Sequence, residues 1–453
     1  MQNCLRSTKE ASPIPLTKQY RYVSGFQLKN HLLKLMNGRI CKALFFILLI
    51  LVVLQTFSQT RFELTDLLVK RLSTYNHKRC VDVTRQMRNG MWRKRSDLQP
   101  TDVLHRREQD LRIRKLRGLP ENLHREDRKC GKKFPLKAPN FGLPVPSLCD
   151  PEGTDPCCNH DLTKCGSAKE DCQCTSCTDF RNIVSAELHE FVPSSGCEFQ
   201  NFSSAETCQL LSERVSSLSL IGDSLVRHLH NALMILFTDD KVYGSLAKDI
   251  DEHHRDVCSG DMQFVDSGKT ACNGKTVRNV SQLPEGKFCQ GQSTFEYSLQ
   301  QFYSMQYAKL ALQKVRGKLN ATNSVIAIGV GLHMGLNAHK VFNGYIKPIL
   351  QLKNQAASQW PLIIWLTTHA HGILKPIPFS VSQGNDKIIQ YNQEMRRFLE
   401  PFEVPVFDTF NLTRGVHSYD GTHYGFGVNM MKAQLFLNFL DETLPHKKRL
   451  SST

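Results

Sequence analysis

Two short stretches of this chain hold side chains whose types and spacing could do nucleophilic chemistry: Gly222-Asp223-Ser224 and Asp420-Gly421-Thr422-His423. A serine hydroxyl attacks poorly until an imidazole accepts its proton, and that imidazole needs a carboxylate to hold its tautomer. Asp420 and His423, three residues apart on one turn, supply both groups and leave the imidazole to face Ser224. The expected chemistry is acyl transfer through an ester on Ser224, with His423 as base and Asp420 as its orienting carboxylate. Either motif alone reads more readily as a turn or a helix cap. In this order, and at these two places in the chain, they read as a catalytic set.

The elements around them define those places. Residues 217–221 form a short apolar run ending at Gly222, and Leu225, Val226, Leu229, Ala232, Leu233, Leu236 and Phe237 then recur at helical spacing. Ser224 therefore sits where a strand turns into a helix, with its N–H at a helix start, aimed where an oxyanion would form. Gly222 permits the tight turn. Residues 325–328, closed by Gly329 and Gly331, read as a second strand, 361–366 as a third and 404–407 as a fourth. Helical stretches lie at 339–352 and 386–399, and a last amphipathic helix at 428–440 follows His423. Apolar strands separated by helices imply an α/β fold, a parallel sheet in a three-layer α/β/α sandwich. Ligand chemistry in such folds gathers at the C-terminal ends of the strands. Residues 239–302 break the alternation and, with Cys258, Cys272 and Cys289, read as a disulfide-tied insertion beside that face. His369 and His371 would share one face of a strand, but no further ligand set accompanies them, so neither a metal nor a cofactor is expected. His417 is a rival imidazole to His423, and His228 and His230 read as ordinary polar positions.

The chain of 453 residues is long enough for two to three units, and its formal net charge of +16 is concentrated before residue 138. Residues 43–54 are uninterruptedly apolar, and Gln55, Thr56 and Phe57 extend the run to a short membrane span. It begins far from the N-terminus, no small-x-small cleavage site follows, and Lys29, Lys34, Arg39 and Lys42 precede it without a nearby acid. These features predict a cytosolic basic tail at 1–42 and a transmembrane signal anchor at 43–58. Its shortness points to the thinner ER or Golgi membrane, with the catalytic domain lumenal in a single-pass type II protein. Sequons at Asn201, Asn279, Asn320 and Asn411 offer N-glycosylation sites. Fourteen of the sixteen cysteines follow the anchor, an even number that reads as disulfides in such a compartment. Anchor and sequons together set nucleic-acid binding aside. Residues 59–145 are polar and basic with no repeating apolar face, and read as a stem and linker. Residues 146–180, with Cys149, Cys157, Cys158, Cys165, Cys172, Cys174 and Cys177, form a disulfide-rich module. Residues 197–445 hold the catalytic domain.

The strand leading into Gly-Asp-Ser and the Asp-x-x-His before the last helix resemble the SGNH/GDSL hydrolases. The stretches at 221–227, 329–333, 367–369 and 406–409 resemble the PC-esterase branch. That branch includes trichome-birefringence-like glycan O-acetyltransferases, sialate O-acetyltransferase domains, and neurexophilin-and-PC-esterase proteins. The resemblance covers the C-terminal half and implies a lumenal serine esterase or O-acyltransferase, with O-acetyl chemistry on glycans and Ser224, His423 and Asp420 as its triad. The Gly-x-Asn of typical SGNH enzymes, whose asparagine donates to the oxyanion, is replaced here by Gly329-Val330-Gly331. Within the resemblance the oxyanion and substrate candidates become Gly222, the backbone at Gly331, His333, and Arg227, which could donate to an acyl oxygen or a substrate carboxylate. Transfer and hydrolysis differ only in the acceptor. Transfer would need a separate acyl-donor transporter as partner, or a lumenal donor, because one membrane helix cannot carry acetyl groups across. The alternative is a non-catalytic glycan- or protein-binding member of the same fold. The cysteine module resembles the hevein-like framework, yet no aromatic lies at 159–164 or 167–171, so sugar stacking is not expected there.

Overall fold

The computed structural model describes residues 79–137, 143–167, 172–174, 176–265 and 272–445. The expected tail, the expected anchor at 43–58 and the start of the expected stem lie outside them. Among the described residues no helix is long and apolar enough to cross a membrane.

The described chain enters through α1 (Val83–Asn89), β1 (Met91–Lys94) and α2 (Pro100–Leu116). Then come β2 (Gly131–Leu136), β3 (Val145–Ser147), β4 (Cys157–Cys158), β5 (Cys165–Gly166), β6 (Thr178–Asp179) and β7 (His189–Val192). This is not the spacer that its composition suggests from residue 79 onward. Strand β1 pairs antiparallel with β7, and Cys80 is bonded to Cys197. The helix α2 has no apolar stripe because it docks through a buried arginine, Arg106, together with Ile113. Bonds Cys130–Cys158, Cys149–Cys165, Cys157–Cys172 and Cys174–Cys177 staple the cysteine module, so the bonded unit starts at Cys130 rather than at 146.

The C-terminal half continues with α3 (Ser204–Arg214), β8 (Ser217–Gly222), α4 (Ser224–Thr238), β9 (Glu296–Gln300), α5 (Ala308–Arg316) and β10 (Ser324–Gly329). It closes with α6 (Lys347–Gln355), β11 (Leu362–Leu366), α7 (Asn385–Leu399), β12 (Val406–Phe407) and α8 (Phe426–Thr443). The five strands form one parallel sheet in the order β12-β11-β10-β8-β9. Alternate side chains divide between two cores. Leu218, Leu220, Val325, Ala327, Ile364 and Leu366 pack with Leu211 of α3, Leu229 of α4 and Phe436 of α8. Ile221, Ile326, Ile328, Ile363 and Trp365 pack with Val315 of α5, Ile349 of α6 and Tyr391 of α7. Helices thus cover both faces, which is why β10 and β11 read as unbroken apolar runs, while β8 also buries the small polar Ser217 and Ser219.

The edge strand β9 lies inside the segment expected as an insertion. Glu296, Ser298 and Gln300 alternate with buried Tyr297 and Leu299, the pattern of a half-exposed edge rather than of a core strand. Cys258–Cys272 closes a loop within that segment, and Cys208–Cys289 ties it to α3. The chain moves to one side of β8 for β9 and to the other side for β10. The crevice at such a reversal, outside the strand ends, is where α/β sheets bind ligands. All fourteen cysteines from Cys80 onward are paired, in seven disulfides, as befits a domain matured in an oxidising compartment.

Candidate active site

The candidate nucleophile, Ser224, is set by the end of β8. Gly222 and Gly329 are register partners at the carboxyl ends of β8 and β10. A Cβ on Gly222 would strike the Gly329 carbonyl and Val226, so the first turn of α4 sits directly on the strand ends. Asp223 caps that helix: its Oδ1 accepts the Leu225 N–H at 3.0 Å, and its carbonyl accepts the Arg227 N–H at 3.0 Å. The Ser224 N–H is left among the first-turn donors that a helix cannot satisfy internally.

The candidate base and its carboxylate, His423 and Asp420, come from a tight loop in which Ser418 bridges Tyr424 and the Tyr419 N–H donates to the His423 carbonyl at 3.0 Å. Asp420 Oδ1 accepts the N–H groups of Thr422 at 2.8 Å and His423 at 2.6 Å. Its Oδ2 lies 2.7 Å from His423 Nδ1, and His423 Nε2 lies 2.7 Å from Ser224 Oγ. Burial pushes the Asp420 carboxyl up, but the His423 imidazole, its hydrogen bonds and the Arg117 guanidinium together hold it well below the usual carboxylate range. An ionised Asp420 fixes the Nδ1–H tautomer and leaves Nε2 to accept the serine proton. The three residues expected as a triad are brought together in hydrogen-bonding sequence.

Thr422, between acid and base, is held at every polar group. Its N–H goes to Asp420, its Oγ1 accepts from Lys375 Nζ at 2.7 Å, and its carbonyl accepts from His369 Nε2 at 2.7 Å. His369 Nδ1 in turn lies 3.3 Å from Lys432 Nζ on α8. Both lysines are buried. Burial, opposed by Asp420, draws Lys375 down to about 8, and burial, opposed by Asp223, draws Lys432 down to about 7. Burial and Lys432 keep His369 neutral, so Nε2 is the donor and Nδ1 the acceptor.

Gly331 has φ +143°, in the region that favours glycine, and a Cβ there would run into the Tyr391 hydroxyl, which donates to the Val330 carbonyl at 2.6 Å. Arg227 is buried, and His333 is exposed with its ring 4.8 Å from that of Tyr303. Burial raises the Asp223 carboxyl, while His333, His423 and Arg227 pull it back. Both residues therefore act electrostatically on the residue beside the nucleophile. The four sequon asparagines, Asn201, Asn279, Asn320 and Asn411, are all exposed.

Other histidines depart from expectation. His228 is buried, with its ring 5.0 Å from that of His423, and His230 is buried, stacked 5.0 Å from Tyr297, with Nε2 donating to the Val277 carbonyl. Neither is an ordinary polar position. His417, the rival base, has Nδ1 4.0 Å from Asp110, and it is His423 that meets Ser224.

No protein-family model and no curated protein matches this chain. Among solved structures, it is similar to an α/β hydrolase enzyme from the metagenome of Lake Arreo, Spain, at 15% identity and a TM-score of 0.26. That match spans 51% of this chain and 97% of the other. It is also similar to the lipase/acylhydrolase of Enterococcus faecalis, at 11% identity and a TM-score of 0.27, over 52% of this chain and 100% of that one. The likeness is distant. Sequence reasoning did not find Lys375, Lys432, Arg106 or Arg117. A usable signal existed only for Lys432, the one charged residue between 426 and 440 in the last helix.

Proposed function

We propose that this chain is a serine esterase or O-acyltransferase of the SGNH type, acting on acyl esters of glycans in the lumen of the secretory pathway. The observation that carries the reading is the unbroken relay from Asp420 through His423 to Ser224, at the carboxyl end of a parallel strand. Ser224 Oγ attacks the acyl carbonyl while its proton passes to His423 Nε2, and Asp420 stabilises the imidazolium. The oxyanion forms against the Ser224 N–H, with the backbone at Gly331 as second donor in place of the missing asparagine. Collapse breaks the bond to the alcohol, which leaves with the proton from Nε2. The acyl group on Ser224 then passes to water or to a sugar hydroxyl, deprotonated by the same imidazole.

The half-buried Tyr303 and the exposed His333, with rings 4.8 Å apart and tilted by 52° to each other, leave ring faces of the kind that sugars pack on, which supports a glycan substrate. The seven disulfides and four exposed sequons support a lumenal domain, and the apolar run at 43–58 supports a type II anchor in the ER or Golgi membrane. As a transferase, the enzyme would depend on a separate supplier of lumenal acyl donor. The test is release of p-nitrophenol from p-nitrophenyl acetate, and of acetate from O-acetylated glycans, by the purified lumenal protein. Both should vanish in Ser224→Ala. Equal turnover by that variant would overturn the reading.

A further inference from the structure

Three acidic residues from separate parts of the chain converge on one arginine that the relay does not use. Arg106, on α2, is 5% exposed. Its Nη2 binds Asp110 of the same helix, and its Nη1 lies 3.5 Å from Glu187 Oε1 and 3.4 Å from Asp261 Oδ2. The same nitrogen donates to the Tyr419 hydroxyl at 3.4 Å, and the guanidinium sits 5.6 Å from that ring's centre. Burial works against the charge on Arg106, but Tyr419, Glu187 and Asp110 raise its pKa, so it stays a cation.

Two of these partners lead to the catalytic loop. Tyr419 immediately precedes Asp420, its N–H donates to the His423 carbonyl, and its ring is wedged among Ile113 of α2, Met262 and Val265. Glu187 Oε1 accepts the Gly427 N–H at 3.1 Å, at the start of α8. Arg106 therefore grips the segment carrying the triad acid and base on both sides, before Asp420 and after His423. A second buried arginine, Arg117, caps the far end of α2, and its charge acts on Asp420 itself. The arm that brings both arginines is bonded to the rest of the molecule through Cys80–Cys197 and Cys130–Cys158.

We infer that residues 79–136 are part of the catalytic apparatus rather than a tether, and that Arg106 is a positioning residue that holds the Asp420–His423 turn through Tyr419 and Glu187. The inference rests on the serine-hydrolase reading. A planar five-donor fork is what lets one residue meet partners in several directions, so lysine is an incomplete substitute. A shift of the base by about 1 Å costs on the order of 100-fold in rate, and a loosened turn should cost part of that.

The experiment uses the full chain and an alkyl fluorophosphonate, with three readouts: the rate of Ser224 labelling, the melting temperature, and the downfield proton resonance of the His423 Nδ1–H hydrogen bond. Arg106→Met would strand three carboxylates and could fail to fold, so the deciding variants are Arg106→Lys and Tyr419→Phe. Tyr419→Phe keeps the ring and removes only the hydroxyl. The expected result is labelling slowed about tenfold in each, with a shifted or broadened downfield resonance in protein that still melts cooperatively. A purely structural arginine would lower the melting temperature and leave both the rate and the resonance of the folded fraction unchanged. That outcome, in wild-type protein that labels at Ser224, would overturn the inference alone. Wild-type protein that does not label would overturn the hydrolase reading and the inference with it.

Discussion

The two sides of the relay are held by opposite kinds of force. Ser224 stands on apolar packing: the end of β8, the first turn of α4, and a core containing Leu220, Val226 and Leu229. Asp420 and His423 stand on a loop whose neighbours are largely polar, with Thr422 tied to Lys375 and His369 and the flanking segment tied to Arg106. Apolar packing is non-directional and adds stability with area. A buried polar clamp adds little net stability but specifies position, because hydrogen bonds are directional and a buried donor or acceptor that loses its partners is costly. The difference teaches that stability and the placement of the relay are drawn from separate parts of this molecule, so they should respond to different substitutions.

The largest expected effect joins the two sides. Ser224→Ala and His423→Ala should each lower kcat/KM on p-nitrophenyl acetate by at least about 10⁴-fold, and the double variant should be no worse, because either loss disables the same step. Asp420→Asn should cost less than removal of Ser224 or His423. Additive losses in the double variant would show that the two sides do not act as one unit.

The next effect separates them. Leu229→Ala, on the nucleophile side, should cost about 2–5 kcal/mol in denaturant unfolding while the folded fraction keeps its rate. Acid should weaken both sides together. Burial lowers the pKa of His230, on α4, to about 3, with Arg278 adding repulsion, and burial lowers His369, under the loop, well below its usual value. A base whose pKa falls on folding binds fewer protons folded than unfolded, so stability is full above about pH 6.5 and is lost as pH drops below it. His230 alone should cost on the order of 3 kcal/mol at pH 4. Melting temperatures that hold steady from pH 7 to 4 would contradict that burial.

The smallest effect is the sharpest for the comparison. Lys375→Met removes a clamp on Thr422 and also a desolvated charge, so stability should hold or rise while kcat falls about tenfold. A variant that loses stability and keeps its rate would reverse the assignment of roles.

The same division explains what could be read from the residues alone. The strands at β8, β10, β11 and β12 and the helix after Ser224 were legible because apolar periodicity reports burial directly. Ser224, Asp420 and His423 were legible because chemistry restricts which types can serve, and the turn fixes their spacing. Edge strand β9 was hidden by its polar alternation, and α2 by the absence of any apolar stripe. The clamps at Lys375, His369, Lys432 and Arg106 were hidden for a deeper reason. A buried charge looks like a surface charge in sequence until its partners, hundreds of residues away for Arg106 and Tyr419, are brought beside it.

The central claim is that Ser224 is an activated nucleophile, and mass spectrometry of the intact purified protein after fluorophosphonate treatment tests it without knowledge of the substrate. One adduct is expected, on the peptide containing Ser224, in wild type and not in Ser224→Ala or His423→Ala. A folded wild-type protein that carries no adduct at Ser224 would contradict the account and leave a binding protein of the same fold.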